Sequence, residues 1–266
     1  MTSRFVLPFL FLCFGGISLT VLQSIAPNLF PIQAVYYLAA TALFFFGSLM
    51  PYALWKKLAF VLYGVVIVLL VLTFVISDIR KGAARWLDLG PISVQPSQLA
   101  QPVTLLVLSI YTAKYRLTSL KRIAVFGLIL MVPWILIFIE PNLGTSLILL
   151  FSAGAIFYSS DVPLRWIGIL LGGFLVAAIL GWVFLLKPYQ KQRVFSFLNS
   201  DSDTDASYNA TQSVIAVGAG GVFGRGLGHG IQSQLRFLPE RQTDFIFASL
   251  AEEIGFFGST FVLLLY

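Results

Sequence analysis

The chain has 266 residues, 58% hydrophobic and only 11% charged, with a net charge of +6 and a mean hydropathy of +0.91. That balance excludes a soluble domain of this size, which could not cover so much apolar surface with so few charges. One cysteine, Cys13, and one histidine, His229, exclude a disulfide framework and any cysteine- or histidine-based metal cluster.

Taken in chain order, eight apolar runs approach the roughly 17–25 residues that cross a bilayer. They cover residues 5–24, 32–50, 58–76, 97–111, 123–138, 143–158, 164–186 and 245–266. The first is longer than a signal-peptide core, lacks a small-x-small cleavage site and precedes further spans, so it reads as an uncleaved helix. The expected fold is an all-α polytopic membrane protein of about eight transmembrane helices. It forms one integral membrane domain over residues 1–266, with a long extracytoplasmic loop between helices 7 and 8.

Charge sets the expected orientation. With the N-terminus cytoplasmic, inner segments hold Arg4, Lys56, Lys57, Lys114, Arg116, Lys121, Arg122 and Arg165. The short outer loops hold only Arg80, Lys81 and Arg85. The positive-inside rule then favours a cytoplasmic N-terminus, and long loops such as 187–244 carry little weight in it. The surplus of positive charge is therefore a topology signal, and no nucleic-acid partner is expected.

Two loops stand out. Residues 77–96 read SDIRKGAARWLDLGPISVQP, where Pro91 and Pro96 stop a helix from running through. Trp86 and the basic residues there suit an interfacial anchor. The other loop, 187–243, is far longer than a connector needs. Its early part, NSDSDTDASYN, reads as flexible and solvated. Its middle combines the apolar stretch 214–217 with seven glycines in residues 218–230, which predicts a re-entrant or interfacial element packed closely on other backbone. Nucleotide-binding glycine spacings are absent.

That loop runs into FLPERQTDFIFASLAEEIG, residues 237–255. Pro239 ends the loop, Thr243 is placed as the N-cap, and Asp244 falls in the first turn of the last helix on the outer face. An acidic residue there can simply offset the helix macrodipole, by roughly 0.3–1 kcal/mol. It can equally be a general base facing the outer leaflet. Spacing leaves both readings open.

Longer stretches resemble the SEDS family of bacterial cell-wall proteins, the RodA- and FtsW-type peptidoglycan polymerases. They are GAARWLDLGPISVQPSQ at 82–98, EPNLGTS at 140–146, YQKQRVFSFL at 189–198 and the block from YNATQSVIAVG to EEIGFFGS at 208–259. Family members typically have ten membrane helices, so the resemblance implies a chain lacking the last two.

The resemblance implies a glycosyltransferase that joins lipid II units into glycan strands at the outer face of the bacterial cytoplasmic membrane, for elongation or division. A class B penicillin-binding protein would crosslink those strands. The family's loop aspartate falls on Asp244, which would deprotonate the acceptor's 4-hydroxyl. Arg85, Arg193, Arg236 and Arg241 map to the outer side, where guanidinium groups can hold pyrophosphate oxygens. Trp86, Gln212, Ser213 and Glu240 are further substrate or loop-ordering candidates, and membrane lipid is the surrounding partner. No metal site is read from the residues, and a divalent cation as cofactor is left open.

Four positions depart from the family pattern. Gln98 and Gln101 replace a glutamate and a lysine able to pair, Asn142 replaces an aspartate, and Gln242 replaces a histidine. Losing both partners of an ion pair leaves no unpaired buried charge, and paired amides keep the hydrogen bonding. Two other readings accompany the polymerase: a flippase for a lipid-linked precursor, and a catalytically degenerate scaffold for a penicillin-binding protein.

Overall fold

A computed structural model describes residues 3–76, 86–88, 93–140, 142–160, 162–185, 191, 205–235 and 237–266. The helices are α1 (Ser3–Ile25), α2 (Phe30–Leu49), α3 (Tyr52–Ile76), α4 (Pro96–Lys114), α5 (Leu120–Ile139), α6 (Leu143–Tyr158) and α7 (Leu164–Leu180), which continues as a π-helical turn (Gly181–Leu185). They are followed by α8 (Asp205–Ala219), the short α9 (Ile231–Gln234) and α10 (Ile246–Leu265). Each of the eight expected spans coincides with a helix. Five of them, α1, α2, α3, α5 and α10, are long and apolar enough to cross a membrane, and α6 is a shorter apolar helix. The chain is a polytopic all-α membrane protein. The only strands among the described residues form a two-residue antiparallel pair, β1 (Leu87–Asp88) with β2 (Ser93–Val94).

α3 starts at Tyr52, six residues before the apolar run, and so includes Lys56 and Lys57. A helix can extend beyond the hydrocarbon layer, where its charged side chains stay in the wet headgroup region. α4 begins on Pro96, whose fixed φ and missing N–H suit a first helical position.

The chain divides into two compact units, residues 1–47 with 181–266, and residues 48–180. In the second unit α3, α4, α5 and α6 pack around Leu70, Ala100, Leu108, Ile137, Leu149 and Ala153, all fully buried. Polar links cross this core. Thr73 Oγ1 donates to Glu140 Oε1 at 2.5 Å, joining α3 to the end of α5, and Tyr63 OH donates to Ile129 O at 2.8 Å. In the first unit α1 packs on α10 through Val21, Leu22, Ile25, Leu250 and Val262, while Ala216, Leu238 and Ala248 form a smaller cluster. Large apolar side chains such as Leu43, Phe46 and Phe151 stay exposed, as lipid-facing positions require.

The long loop is not wholly irregular: residues from Asp205 onward, expected to be solvated and flexible, form α8. The expected close backbone packing of the glycine segment is present. α10 breaks at Gly255 (φ 68°, ψ −164°), and four main-chain groups lose the i→i−4 partners a regular helix would supply. All four find partners in the glycine segment. Phe256 N–H donates to Gly221 O at 2.9 Å and Phe257 N–H to Val222 O at 3.3 Å. In return, Glu252 O accepts from Arg225 N–H and Glu253 O from Gly226 N–H, each at 3.0 Å. A broken helix at membrane depth is tolerable only where protein satisfies its backbone in this way.

Candidate active site

The candidate site is built on the turn that connects α9 to α10. Leu238 is buried and anchors the turn beside Ala216 and Ala248, with Phe245 packed against the same cluster. Glu240 adopts a left-handed conformation (φ 49°), which reverses the chain. Its carbonyl accepts from Thr243 N–H at 3.1 Å and Phe245 N–H at 3.3 Å. This corrects the expected capping. Phe245 is the N-cap of α10, and the Thr243 hydroxyl turns back to Glu240, 3.3 Å from both its carbonyl and its Oε2. Asp244 therefore lies in the turn, two residues before the helix, rather than in its first turn.

Asp244 is exposed and lines a hollow of about 350 Å³. The other walls are Ser213, Val214 and Val217 from α8, with Phe245, Phe247 and Ala248 from the start of α10. The result is a carboxylate at the edge of an otherwise largely apolar recess. A second hollow, about 340 Å³, lies between residues 26–29, which join α1 to α2, and residues 238–242 of the same turn.

A buried network holds this turn in place. Glu252 is fully buried, and its carboxylate accepts from Gln232 N–H (2.8 Å), Ser233 N–H (3.0 Å) and Ser233 Oγ (2.6 Å). Ser233 O in turn accepts from the Arg241 guanidinium, which also donates to Ile25 O at 3.0 Å. Ser249 Oγ donates to Arg241 O at 3.3 Å. Glu253, also buried, accepts from Gly228 N–H at 2.9 Å and from Ser24 Oγ of α1. The end of α1, the glycine segment and the Asp244 turn are thereby tied to two adjacent carboxylates of α10.

The candidates from sequence divide accordingly. Ser213 shares the apolar hollow with Asp244, although its Oγ also donates to Ala210 O of its own helix at 2.7 Å. Gln212 is half-buried on α8 and is not part of that wall. Glu240, Arg241 and Gln242 line the second hollow. Arg241, expected to hold pyrophosphate, directs its guanidinium at two main-chain carbonyls and braces the turn. Trp86, half-exposed beside β1, belongs to the other compact unit. Arg85, Arg193 and Arg236 lie outside the described residues.

Three of the four family-pattern departures, Gln98, Gln101 and Asn142, also sit in the second unit, whereas Gln242 is the one in the Asp244 turn. Gln101 Nε2 donates to Thr145 O at 2.9 Å, and Asn142 Nδ2 donates to Ser97 Oγ at 3.3 Å. Both amides thus bind α4 to α6. Gln98 is exposed, so the expected amide pairing between Gln98 and Gln101 is replaced by this link between helices. Sequence reading singled out the stretch 214–217 without linking it to Asp244, and did not single out Asn28. It noted Glu252 and Glu253 without giving them a role, though two adjacent carboxylates inside an apolar span were their signal.

Fold and site together define a polytopic helical membrane protein with a carboxylate-bearing turn beside an apolar recess. The chain belongs to the cell cycle protein family of FtsW, RodA and SpoVE, which it matches over residues 5–266. It is 43% identical over 209 residues to the peptidoglycan glycosyltransferase MrdB of Escherichia coli K12, covering 77% of this chain and 56% of that protein. It is 35% identical over 238 residues to the probable peptidoglycan glycosyltransferase FtsW of Coxiella burnetii, covering 87% and 63%. The chain thus spans little more than half the length of these curated relatives. Among solved structures, a chain of a peptidoglycan synthase complex that coordinates polymerization and crosslinking superposes with a TM-score of 0.76. It is 28% identical, with 98% of this chain and 74% of that one covered. The rod shape determining protein RodA of Thermus thermophilus gives a TM-score of 0.67 at 26% identity, covering 98% and 70%.

Proposed function

We propose that the protein is a peptidoglycan glycosyltransferase that polymerises lipid II at the outer face of the bacterial cytoplasmic membrane, with its N-terminus in the cytoplasm. The observation that carries this reading is the position of Asp244, an accessible carboxylate at the rim of an apolar recess. A lipid-linked sugar needs both features close together: a base for the reacting hydroxyl and a non-polar surface for the first part of its chain. The names of the relatives support the same chemistry.

In the proposed reaction the Asp244 carboxylate accepts the proton of the acceptor's 4-hydroxyl. The oxygen then forms a bond to the anomeric carbon of the donor muramic sugar as the bond to the pyrophosphate oxygen breaks. Undecaprenyl pyrophosphate leaves with the bonding pair, and the anomeric configuration inverts. A positioned general base of this kind contributes about 10²–10⁴ in rate. Arg85, Arg193, Arg236 and Arg241 remain the candidates for holding the pyrophosphate. Trp86 and Gln212 remain candidates for substrate contact, and a class B penicillin-binding protein is the proposed partner for crosslinking.

The test is lipid II polymerisation by the protein in lipid nanodiscs, with and without its partner. Asp244→Asn is expected to abolish polymer formation while leaving thermal unfolding unchanged. Polymer made at an undiminished rate by the variant removes Asp244 from the base role. Movement of lipid II across vesicles without polymer assigns the protein to transport, and partner binding with neither activity assigns it to a scaffold.

A further inference from the structure

The geometry points to a saccharide subsite in the second hollow, between the α1–α2 connection and residues 238–242, taking the N-acetylated amino-sugar portion of the substrate; this inference rests on the glycosyltransferase reading. The hollow measures about 340 Å³ and is lined by Asn28, Leu29, Pro239, Glu240, Arg241 and Gln242, among others. Its volume falls in the range of small-molecule clefts, about 300–1,000 Å³. Gln242 is two residues from Asp244, so their Cα atoms are at most about 7 Å apart. One short turn therefore carries both, with Gln242 on the second hollow and Asp244 on the first.

The lining chemistry selects a neutral polyhydroxyl ligand. Asn28 and Gln242 each present a carboxamide, with two donors and one acceptor group, which matches hydroxyl and acetamido substituents. Leu29 and Pro239 supply apolar surface for the C–H faces of a pyranose ring. Glu240 and Arg241 carry opposite formal charges, and the Arg241 guanidinium is directed at Ile25 O and Ser233 O. Among the described lining residues there is thus no surplus of positive charge of the kind that holds a phosphate. The apolar recess beside Asp244 has the opposite character. One turn therefore presents a polar hollow for the sugar and an apolar one for the lipid.

The walls are also rigid, which a subsite needs. Arg241 ties residues 233 and 25 to the turn, Leu238 is anchored in a buried cluster, and Leu29 N–H and Phe30 N–H donate to Ala26 O (2.9 Å) and Pro27 O (3.3 Å). No local pattern reveals it, because Asn28 and Gln242 are more than two hundred positions apart.

The experiment uses the whole chain in nanodiscs, with di-N-acetylchitobiose as a soluble probe followed by saturation-transfer NMR, and lipid II turnover measured in parallel. Asn28→Leu and Gln242→Leu, with Asn28→Ala and Gln242→Ala as smaller replacements, are checked for unchanged thermal unfolding. Each folded variant is expected to weaken probe binding and raise the KM for lipid II about five- to tenfold, the loss of one or two hydrogen bonds. kcat should stay within about twofold, since uniform binding is what is removed. Asp244→Asn should keep probe binding. A wild-type protein that polymerises lipid II, with neither probe binding nor KM altered in the variants, overturns the subsite and leaves the polymerase. Probe binding that is lost in the variants, in a protein that makes no polymer, overturns the polymerase and supports the subsite. A wild type with neither property overturns both.

Discussion

Glu252 shows how a single buried carboxylate shapes the candidate site. It accepts three hydrogen bonds from Gln232 and Ser233, and Ser233 passes the constraint to Arg241, three residues before Asp244. Truncation to alanine leaves buried donors without an acceptor, each costing about 1–3 kcal/mol. Glu252→Ala is therefore expected to destabilise the protein by about 2–4 kcal/mol, measured by thermal unfolding in detergent. Glu252→Gln, which keeps one carbonyl acceptor, should fall between the two. Equal stability of wild type and alanine variant would show that the network is dispensable. Asp244 is the contrasting case. It is exposed, with no packing to lose, so its asparagine variant should shift stability by no more than about 0.5 kcal/mol while polymerisation is lost.

At the level of elements, the break in α10 and the glycine segment are one feature. The two carbonyls and two amides released at Gly255 are the groups that the segment 221–226 satisfies. Glycine is needed at Gly224 for space as well as for its positive φ: a Cβ there would lie 2.1 Å from Glu253 O. Gly221 also has positive φ, but nothing lies within 4 Å of a Cβ built on it. Gly221→Ala should cost only the left-handed conformation, about 1–2 kcal/mol. Gly224→Ala must in addition push backbone apart and should unfold at a clearly lower temperature. Similar midpoints for the two variants would mean that the ladder between segment and helix contributes little. The same elements explain why Thr243 does not cap the helix. Thr-Asp before an apolar run is a normal N-cap signal, but the left-handed Glu240 draws Thr243 back and moves the helix start to Ile246.

For the whole molecule, the proposed chemistry depends on which side of the membrane the Asp244 turn occupies. In a Cys13→Ser background, His229→Cys and Thr118→Cys place single thiols at exposed positions of the glycine segment and the α4–α5 connection. A membrane-impermeant maleimide added to intact cells is expected to label position 229 and spare position 118. The reverse pattern would put Asp244 in the cytoplasm and end the outer-face reading.

The sequence by itself determined the polytopic helical class, the position of eight of its helices and the close packing of the glycine segment, because run length, apolarity and the absence of a Cβ are local properties. Motif resemblance singled out Asp244 but could not show what surrounds it. Only the tertiary structure decided that Val214 and Val217 wall its recess, that Asn28 and Gln242 line one hollow, and that Arg241 braces backbone. Those placements bring together residues about thirty to two hundred positions apart. Such pairings are set by how helices pack and where α10 breaks, and no local pattern encodes them.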